Sequence, residues 1–275
     1  MAGPRRVRLD ELVVERGLAE NRTLARSLIM AGLVVVDGEQ RDKPGVPTSM
    51  TAEVKLKARP RYVSRAGEKL AHALERFSLD TAGAMALDVG ASTGGFVDCL
   101  LQQGAAAVIA LDVGRGQLDS RFRQDPRVHV IERVNARYLT PEQLPFAPDL
   151  LTMDVSFISV EKVLPAVVSC MAPRFRAVIL VKPQFEAGPE KVGRGGIVRD
   201  PQVHHDVLLR VARFALLDLA LSVRGVCESG LPGTDGNIEF FVYVERGGEK
   251  GIGLDTLEST IDATARAPGG QTGGY

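Results

Sequence analysis

The sequence predicts an open α/β domain with a parallel sheet, preceded by a small α+β domain. Apolar strand-like runs recur from AMALDVG to NIEFFVYVE, and helical segments lie between several of them. Strands that alternate with helices are typical of a parallel sheet covered on both faces. The 275 residues exceed one average domain, so a small accessory domain is expected beside the large one.

The N-terminal segment predicts two short helices followed by a hairpin. LDELVVERGL, which starts at Leu9, has apolar residues at helical spacing. Asn21 can cap a second helix, RTLARSLIMAG, which Gly32 would end. The Asp37-Gly38 pair in LVVVDGEQ is a tight-turn signal, and AEVKLKA alternates in the manner of a strand.

Charge is divided unevenly along the chain. Residues 1–65 contain 13 Lys and Arg against 8 Asp and Glu, whereas the remainder contains 21 against 26. A basic N-terminal domain could neutralise backbone phosphates, which supply most of the sequence-independent affinity for nucleic acid. Charge alone is equally compatible with an ordinary solvated surface.

The larger domain should contain seven strands and a long late helix. The strand-like runs are AMALDVG, VIALDVG, VHVIER, DLLTMDVSF, AVILVKP, LSVRGV and NIEFFVYVE. Asp200-Pro201 supplies the N-cap and the first-turn proline of the helix. Its buried stripe should consist of Val203, Val207, Leu208, Val211 and Ala215.

A glycine-rich loop, DVGASTGGF, follows the first of these strands and precedes a helix. Gly90, Ser92 and Gly95 occupy the three places of a GxGxxG-like loop, whose amide N–H groups would meet a ligand at a helix N-terminus. Asp112 ends the next strand, where a carboxylate can accept the ribose hydroxyls of an adenosine ligand. The loop and the acid together indicate such a ligand.

Two other enzyme classes fit part of this loop. GASTG also matches GxSxG, the nucleophile elbow of α/β-hydrolases, with Ser92 as the nucleophile. The triad histidine would be His129, His204 or His205, but none of them lies on a loop after the last strand. A nicotinamide-dependent enzyme would need a hydride-transfer site and a polar catalytic set that the sequence does not offer.

Cysteine content and the N-terminus favour a cytoplasmic location. Cys99, Cys170 and Cys227 are far apart and form no CxxC pair, so they should be reduced core residues. The N-terminus is charged where a signal peptide would be apolar, and no stretch approaches the ~18 apolar residues of a membrane span. We therefore expect no membrane segment.

Eight motifs occur in order after the basic segment. They are VSRAGEKL, DVGASTGGF, DVGRGQL, NAR, DVSFIS, VKPQFE, GGIVRDP and GNIEFF. In this order the chain resembles the TlyA family over about residues 5–245, and its larger domain is similar to the wider FtsJ-like ribose methyltransferases. The pattern LDxxLxxxGLxxxRxxAxxLIxxGxVxVDG resembles the RNA-binding domain of ribosomal protein S4, over roughly residues 7–59.

The resemblance implies a Rossmann-like methyltransferase sheet with an antiparallel last strand. An S4-type domain would span residues 1–59, a linker 60–63, the methyltransferase domain 64–246 and a C-terminal tail 247–275. The activity implied is methyl transfer from S-adenosyl-L-methionine to a ribose 2'-hydroxyl of ribosomal RNA, giving 2'-O-methylcytidine. Ribosomal RNA or ribosomal subunits would be the partners, with no metal and no obligate protein partner.

The resemblance also implies roles for individual residues. The catalytic set would be Lys69, Asp154, Lys182 and Glu239, with Lys182 handling the hydroxyl proton. Asp154 and Lys182 each end a parallel strand and Glu239 begins the antiparallel one, so these three should meet at one sheet edge. The cofactor-binding residues would be Gly90, Ala91, Ser92, Thr93, Gly94, Gly95, Phe96, Asp112, Val113, Asn135, Ala136 and Asp154. The RNA-binding residues would be Arg5, Arg6, Arg8, Arg22, Arg26, Arg41, Lys43 and Arg65.

Two non-enzymatic functions stand as alternatives. The basic domain fits an RNA-binding ribosome-assembly factor with a vestigial cofactor pocket, although the intact Lys-Asp-Lys-Glu set argues against it. A membrane-active haemolysin, a name used for some family members, would need a spanning segment or a basic amphipathic helix with a bulky aromatic face. The sequence offers neither.

Overall fold

The structure, a computed structural model, describes residues 5–30, 32–57, 61–233, 235–248 and 251–266. The chain divides into two compact units, Met1–Pro60 and Arg61–Tyr275. Residues 1–4, 31, 58 and 59 of the predicted S4-type domain, residue 60 of the linker, residue 234 of the methyltransferase domain and residues 249, 250 and 267–275 of the tail lie outside the described residues.

The described residues of the first unit form two short helices and five short strands. Its elements are β1 (Arg6–Arg8), α1 (Leu9–Glu15), α2 (Arg22–Met30), β2 (Val34–Val36), β3 (Glu39–Arg41), β4 (Pro47–Ser49) and β5 (Val54–Leu56). β1 pairs with β4, and β2 lies between β3 and β5, with every pair antiparallel. Leu9, Val13, Ile29 and Val34 are fully buried in a core that the helices and the three-stranded sheet share.

Local signals explain where this unit turns. Asn21 caps α2, because its side chain accepts a hydrogen bond from the Leu24 N–H at 2.9 Å. Asp37 and Gly38 join β2 to β3 with φ values of 50° and 84°, which are the left-handed values that a two-residue type I′ hairpin requires. The predicted cap and the predicted turn are confirmed.

Helices and strands alternate through most of the second unit. Its elements are α3 (Arg65–Arg76), β6 (Met85–Val89), α4 (Gly95–Gln102), β7 (Ala107–Asp112), α5 (Ser120–Arg123), β8 (Val128–Glu132), β9 (Leu150–Met153), α6 (Val160–Ser169), β10 (Phe175–Val181), α7 (Pro183–Glu186), α8 (Pro201–Leu217), β11 (Ser222–Glu228), β12 (Phe240–Arg246) and α9 (Leu254–Arg266). Each of the seven predicted strand-like runs overlaps one of the strands β6 to β12.

These seven strands form one sheet in the order β11-β12-β10-β9-β6-β7-β8. Strands β6 to β10 pair in parallel, whereas β12 lies between β10 and β11 and is antiparallel to both. The start of β12 therefore lies at the same edge as the carboxyl ends of the parallel strands. The predicted Rossmann-like sheet with an antiparallel last strand is confirmed.

Both faces of this sheet are buried. Ile109 and Leu111 of β7 belong to the core shared with α6 and α8, while the intervening Val108 and Ala110 belong to the core shared with α3 and α4. A strand buried on both faces reads as a continuous apolar run, which explains why the parallel strands were visible in the sequence. The predicted stripe of α8 is buried throughout.

The C-terminal segment contains a helix that belongs to the core, where the sequence suggested only a tail. α9 packs against α8 and β11 and buries Leu257, Ile261 and Ala265 completely. Before it, the Ile252 N–H donates to the Val223 carbonyl oxygen at 2.9 Å, which extends the edge of β11. The three buried residues recur every four positions, which is a helical pattern between two glycine-rich stretches.

Candidate active site

Five predicted site residues follow one another along the carboxyl edge of the sheet. In strand order, Glu239 precedes β12, Lys182 follows β10, Asp154 follows β9, Gly90 follows β6 and Asp112 ends β7. The last residue of β10 pairs with the first of β12, and the last residue of β9 pairs with the last of β6. Because paired strands are ~4.8 Å apart, neighbouring side chains in this row can touch.

Two lysines at this edge each form an ion pair with one carboxylate. Lys69 Nζ, on α3, lies 2.6 Å from Glu239 Oε2. Lys182 Nζ lies 2.5 Å from Asp154 Oδ1 and donates a hydrogen bond to Ser156 Oγ at 2.8 Å. The contact between Lys182 and Asp154 is an ion pair without hydrogen-bond geometry, since Asp154 Oδ1 has no hydrogen-bond partner among the described residues. Carboxylates thus orient both ammonium groups.

The two ion pairs differ in exposure. The Lys69 and Glu239 side chains are 11% and 4% exposed, whereas those of Lys182 and Asp154 are 13% and 20% exposed. The pair formed by Lys182 and Asp154 is therefore the one that an incoming substrate can more readily reach. The start of α3, the helix that carries Lys69, is held by Arg65, whose side chain donates a hydrogen bond to the Pro232 carbonyl oxygen at 3.1 Å.

The glycine loop turns sharply between β6 and α4. Gly90 has a φ of 87°, and a Cβ there would lie 2.2 Å from the Asp154 carbonyl oxygen, so only glycine fits. The Ser92 N–H donates to Asp112 Oδ2 at 2.8 Å, which ties the loop to the strand-end acid. The first N–H groups of α4, from Gly95 onward, lack intrahelical acceptors and suit an anionic group.

Asp88, absent from the predicted site residues, lies in β6 just before this loop. Its side chain is fully buried, Oδ1 accepts a hydrogen bond from Thr152 Oγ1 at 2.8 Å, and Oδ2 has no partner among the described residues. Burial, together with the nearby charges of Asp154 and Asp112, raises the pKa of Asp88 to about 8. The sequence signal was a lone acid inside the apolar run MALDV.

These groups fit S-adenosyl-L-methionine. The carboxylates of Asp112 and Asp154 suit its ribose hydroxyls and sulfonium, and the start of α4 suits its carboxylate. A cleft runs between the glycine loop, Ser64 and Asp154. Of the other predicted cofactor residues, Val113 lies on the loop that follows β7, and Asn135 and Ala136 lie at the start of a single 3-10 turn that follows β8.

The loop after β9 presents an aromatic side chain that was not predicted. Phe157 is 90% exposed, has a φ of 63°, and its ring centroid lies 4.9 Å from that of Phe185. Ser159 Oγ donates to Glu186 Oε2 at 2.8 Å and anchors the far end of the loop. Hydrophobic periodicity assigns phenylalanine to a core, so it could not identify this exposed one.

The predicted RNA-binding residues of the first unit differ in their pairing. Asp10 is fully buried and accepts hydrogen bonds from Arg8 and Arg22, and the Arg8 guanidinium lowers the pKa of Asp10. Arg41 pairs with Glu39 at 2.7 Å. The cations that form no ion pair with another described residue are Arg5, Arg6, Arg26 and Lys43.

The alternative hydrolase interpretation does not fit this geometry. Ser92 Oγ lies 3.4 Å from Gln117 Oε1, and none of the three candidate histidines is among its hydrogen-bond partners within the described residues. Over the same described ranges, no cluster of three or more His, Cys, Asp or Glu side chains could hold a metal ion.

Two family models match the chain in tandem. Residues 62–246 match the FtsJ-like methyltransferase model, and residues 7–54 match the S4 domain. The chain is 46% identical over 259 residues to the 16S/23S rRNA (cytidine-2'-O)-methyltransferase TlyA of Mycobacterium tuberculosis, and the alignment covers 94% of this chain and 96% of that one. The chain belongs to the TlyA family.

Other proteins similar to this TlyA-family chain carry different names. Hemolysin A of Brachyspira hyodysenteriae is 38% identical, over 86% of this chain and 99% of that protein. A solved structure from Streptococcus thermophilus that bears the name hemolysin has a TM-score of 0.72 and 42% identity, over 96% of both chains. Among the helices that the structure describes, none combines the length and the apolar character needed to cross a membrane.

Proposed function

We propose that this TlyA-family methyltransferase transfers the methyl group of S-adenosyl-L-methionine to the 2'-hydroxyl of a cytidine in ribosomal RNA. The observation that carries the proposal is the pairing of Lys69 with Glu239 and of Lys182 with Asp154 along one sheet edge. Such groups can position a hydroxyl and move its proton. The Mycobacterium tuberculosis relative, whose name gives this activity, supports the choice of substrate.

The cofactor would be held at the glycine loop. Asp112 would accept hydrogen bonds from its ribose hydroxyls, and the first N–H groups of α4 would bind its carboxylate. Asp88, whose Oδ2 has no partner among the described residues, would pair with its ammonium group once ionised. Val113, Asn135 and Ala136 would flank the adenine. When bound, S-adenosyl-L-methionine supplies a methyl group that its sulfonium already activates.

The chain's own residues would place and deprotonate the ribose oxygen. Lys182, oriented by Asp154 and Ser156, contacts the 2'-oxygen, and Lys69, fixed by Glu239, adds a second cation at the edge. The hydroxyl proton passes to Lys182, which must be in its amine form to accept it. Holding these groups in line supplies much of the rate enhancement.

The first unit would anchor the RNA. Its unpaired cations can neutralise phosphates, while Asp10 holds Arg8 and Arg22 in place. We assign residues 1–59 to the RNA-binding domain and 64–246 to the catalytic domain, whose core also includes Tyr62 of the expected 60–63 linker and α9 of the expected 247–275 tail. In the catalytic domain, the exposed ring of Phe157 would add a further RNA contact, because such a ring can stack on an unstacked base. A ribosomal substrate would place the protein in the cytoplasm.

Methylation of purified bacterial ribosomal subunits with labelled S-adenosyl-L-methionine tests the proposal. The label should enter ribosomal RNA, and the modified nucleotide should resist alkaline cleavage on its 3' side, because cleavage needs a free 2'-oxygen. A label on a base would refute the ribose as the acceptor. Tight binding to subunits without any label would favour an RNA-binding assembly factor.

A further inference from the structure

A glycine-rich hairpin beside the candidate active site carries two unpaired arginines. Residues 193–199 belong to the connection from α7 to α8, which leaves β10 at the carboxyl edge of the sheet. The Gly193 N–H donates to the Ile197 carbonyl oxygen at 3.0 Å and closes the hairpin. Arg194 and Arg199 are exposed, and neither forms an ion pair with another described residue.

Asn237 fastens this 193–199 hairpin next to Glu239. Its Oδ1 accepts a hydrogen bond from the Val198 N–H at 2.9 Å, and its Nδ2 donates to the Gly196 carbonyl oxygen at 2.9 Å. Asn237 is 1% exposed and stands two residues before Glu239. His204 Nε2 also lies 3.1 Å from the Val198 carbonyl oxygen. A segment rich in glycine is thus held at a fixed place relative to the site carboxylate.

The chemistry of the hairpin fits phosphate. Arg194 and Arg199 stand five positions apart on one short hairpin, and each carries a positive charge that no described carboxylate neutralises. A guanidinium binds phosphate with two parallel hydrogen bonds. Gly195 and Gly196 have φ values of 78° and 76° with open space around them, so a nucleic-acid backbone can approach closely.

We propose that Arg194 and Arg199 of the 193–199 hairpin bind backbone phosphates of the RNA strand that carries the target nucleotide, and that Asn237 positions the hairpin. This inference rests on the proposed RNA substrate and adds an RNA contact within the catalytic domain. Phosphate contacts fix register without reading sequence. The hairpin would therefore set how the strand enters the site, while Lys182 meets the ribose.

Removing each arginine from the full-length protein measures the contact. Arg194→Ala and Arg199→Ala should each weaken binding to protein-free ribosomal RNA by about fivefold to tenfold, and should reduce the slope of log K against log salt by roughly 0.7 to 0.9. The KM for ribosomal subunits should rise, while kcat and cofactor affinity stay unchanged. Arg194→Lys should keep the slope, because it keeps the charge.

Arg174→Ala provides the matched control. Arg174 is an exposed arginine that immediately precedes β10, so it lies at the opposite edge of the sheet. Its removal changes the net charge by the same amount but should leave the slope of log K against log salt unchanged. The proposal would be overturned if the two hairpin variants showed the same slope as this control.

A double-mutant cycle tests the positioning role of Asn237. In a protein that already carries Asn237→Ala, adding Arg194→Ala should weaken RNA binding by less than about twofold, because the hairpin has already lost the hydrogen bonds that position it. A purely structural role for Asn237 would lower stability and leave the two effects independent, which would refute the positioning.

The measurements separate this inference from the proposed function. Loss of binding to subunits with unchanged binding to protein-free RNA would indicate a contact with a ribosomal protein and would overturn the hairpin proposal. If the parent protein neither bound ribosomal RNA nor methylated subunits, the proposed function itself would be wrong.

Discussion

Lys182 is the residue at which the proposed chemistry can be tested most directly. Asp154 and Ser156 orient its ammonium group. Lys182→Ala should leave the fold and cofactor affinity nearly intact but slow methylation by ~100-fold to 10,000-fold, as loss of acid–base catalysis does. Lys182→Arg should not restore turnover, because a guanidinium stays protonated. Single-turnover methylation would measure the rate of each variant, and calorimetry would measure its cofactor affinity. Near-normal turnover in the arginine variant would contradict the proton-transfer role.

Asp88 should make stability depend on pH. Burial raises its pKa to about 8, above the value of ~4 for an aspartate in an unfolded chain. Between these two pH values the folded state holds a proton that the unfolded state releases. The free energy of unfolding should therefore fall as pH rises, by up to ~1.4 kcal/mol per pH unit from this residue.

Asp88→Asn is the matched variant for that measurement, because it keeps the shape and removes the charge. In urea unfolding from about pH 5 to about pH 8, the parent should lose stability relative to the variant. Parallel curves for the two proteins would show that Asp88 is already ionised in the folded state.

The family resemblance supplied the strand-end residues, and the sequence did not show which lysine pairs with which carboxylate. Asp154, Lys182 and Glu239 could be placed at one edge, because the ends of apolar strands can be read from the sequence. The pairing of Lys69 with Glu239 joins residues 170 positions apart, and only the tertiary fold determines it. The same holds for the burial of Asp10 between two arginines in the first unit.

At the scale of elements, hydrophobic pattern located all seven strands of the large sheet but not their order. Pairing depends on which strand edges meet after the helices have packed, and no local signal records it. α9 was not predicted for a different reason. Its buried positions, Leu257, Ile261 and Ala265, are three residues between two glycine-rich stretches, and those stretches dominate the local composition.

α9 should nevertheless contribute to stability. Ile261→Ala should lower the free energy of unfolding by about 2 to 4 kcal/mol, because Ile261 is fully buried and its loss leaves a cavity. Ser259→Ala, on the exposed face of the same helix, should change little. Denaturant unfolding measures both, with kcat expected near the parent value. Equal stability of the two variants would mean that α9 does not dock in solution.

At the scale of the whole molecule, the two units should be separable. A protein that starts at Arg61 should retain cofactor binding but lose most of its affinity for ribosomal RNA, and RNA binding by the full chain should weaken steeply with salt. Calorimetry and filter binding would measure these properties. Equal RNA affinity of the truncated and full-length proteins would show that the first unit is not the anchor.

The starting residue of that truncated protein matters. Tyr62 is buried, and the Val63 N–H donates to Asp98 Oδ2 at 2.8 Å on α4. A protein that starts at Ser64 lacks both contacts, so it should unfold at a lower denaturant concentration than one that starts at Arg61. Identical midpoints would show that this docked segment contributes nothing to the catalytic unit.

The position of β12 has a consequence for the order of folding during synthesis. β12 follows β10 and β11 in the chain yet lies between them. Until residues 240–246 have been made, β10 lacks one neighbour and β11 has no strand to pair with. A chain released early would expose unpaired apolar strand edges, which are prone to aggregation. Glu239 immediately precedes β12, so the step that completes the sheet also brings Glu239 to Lys69, and a chain that lacks its last strand cannot assemble that ion pair.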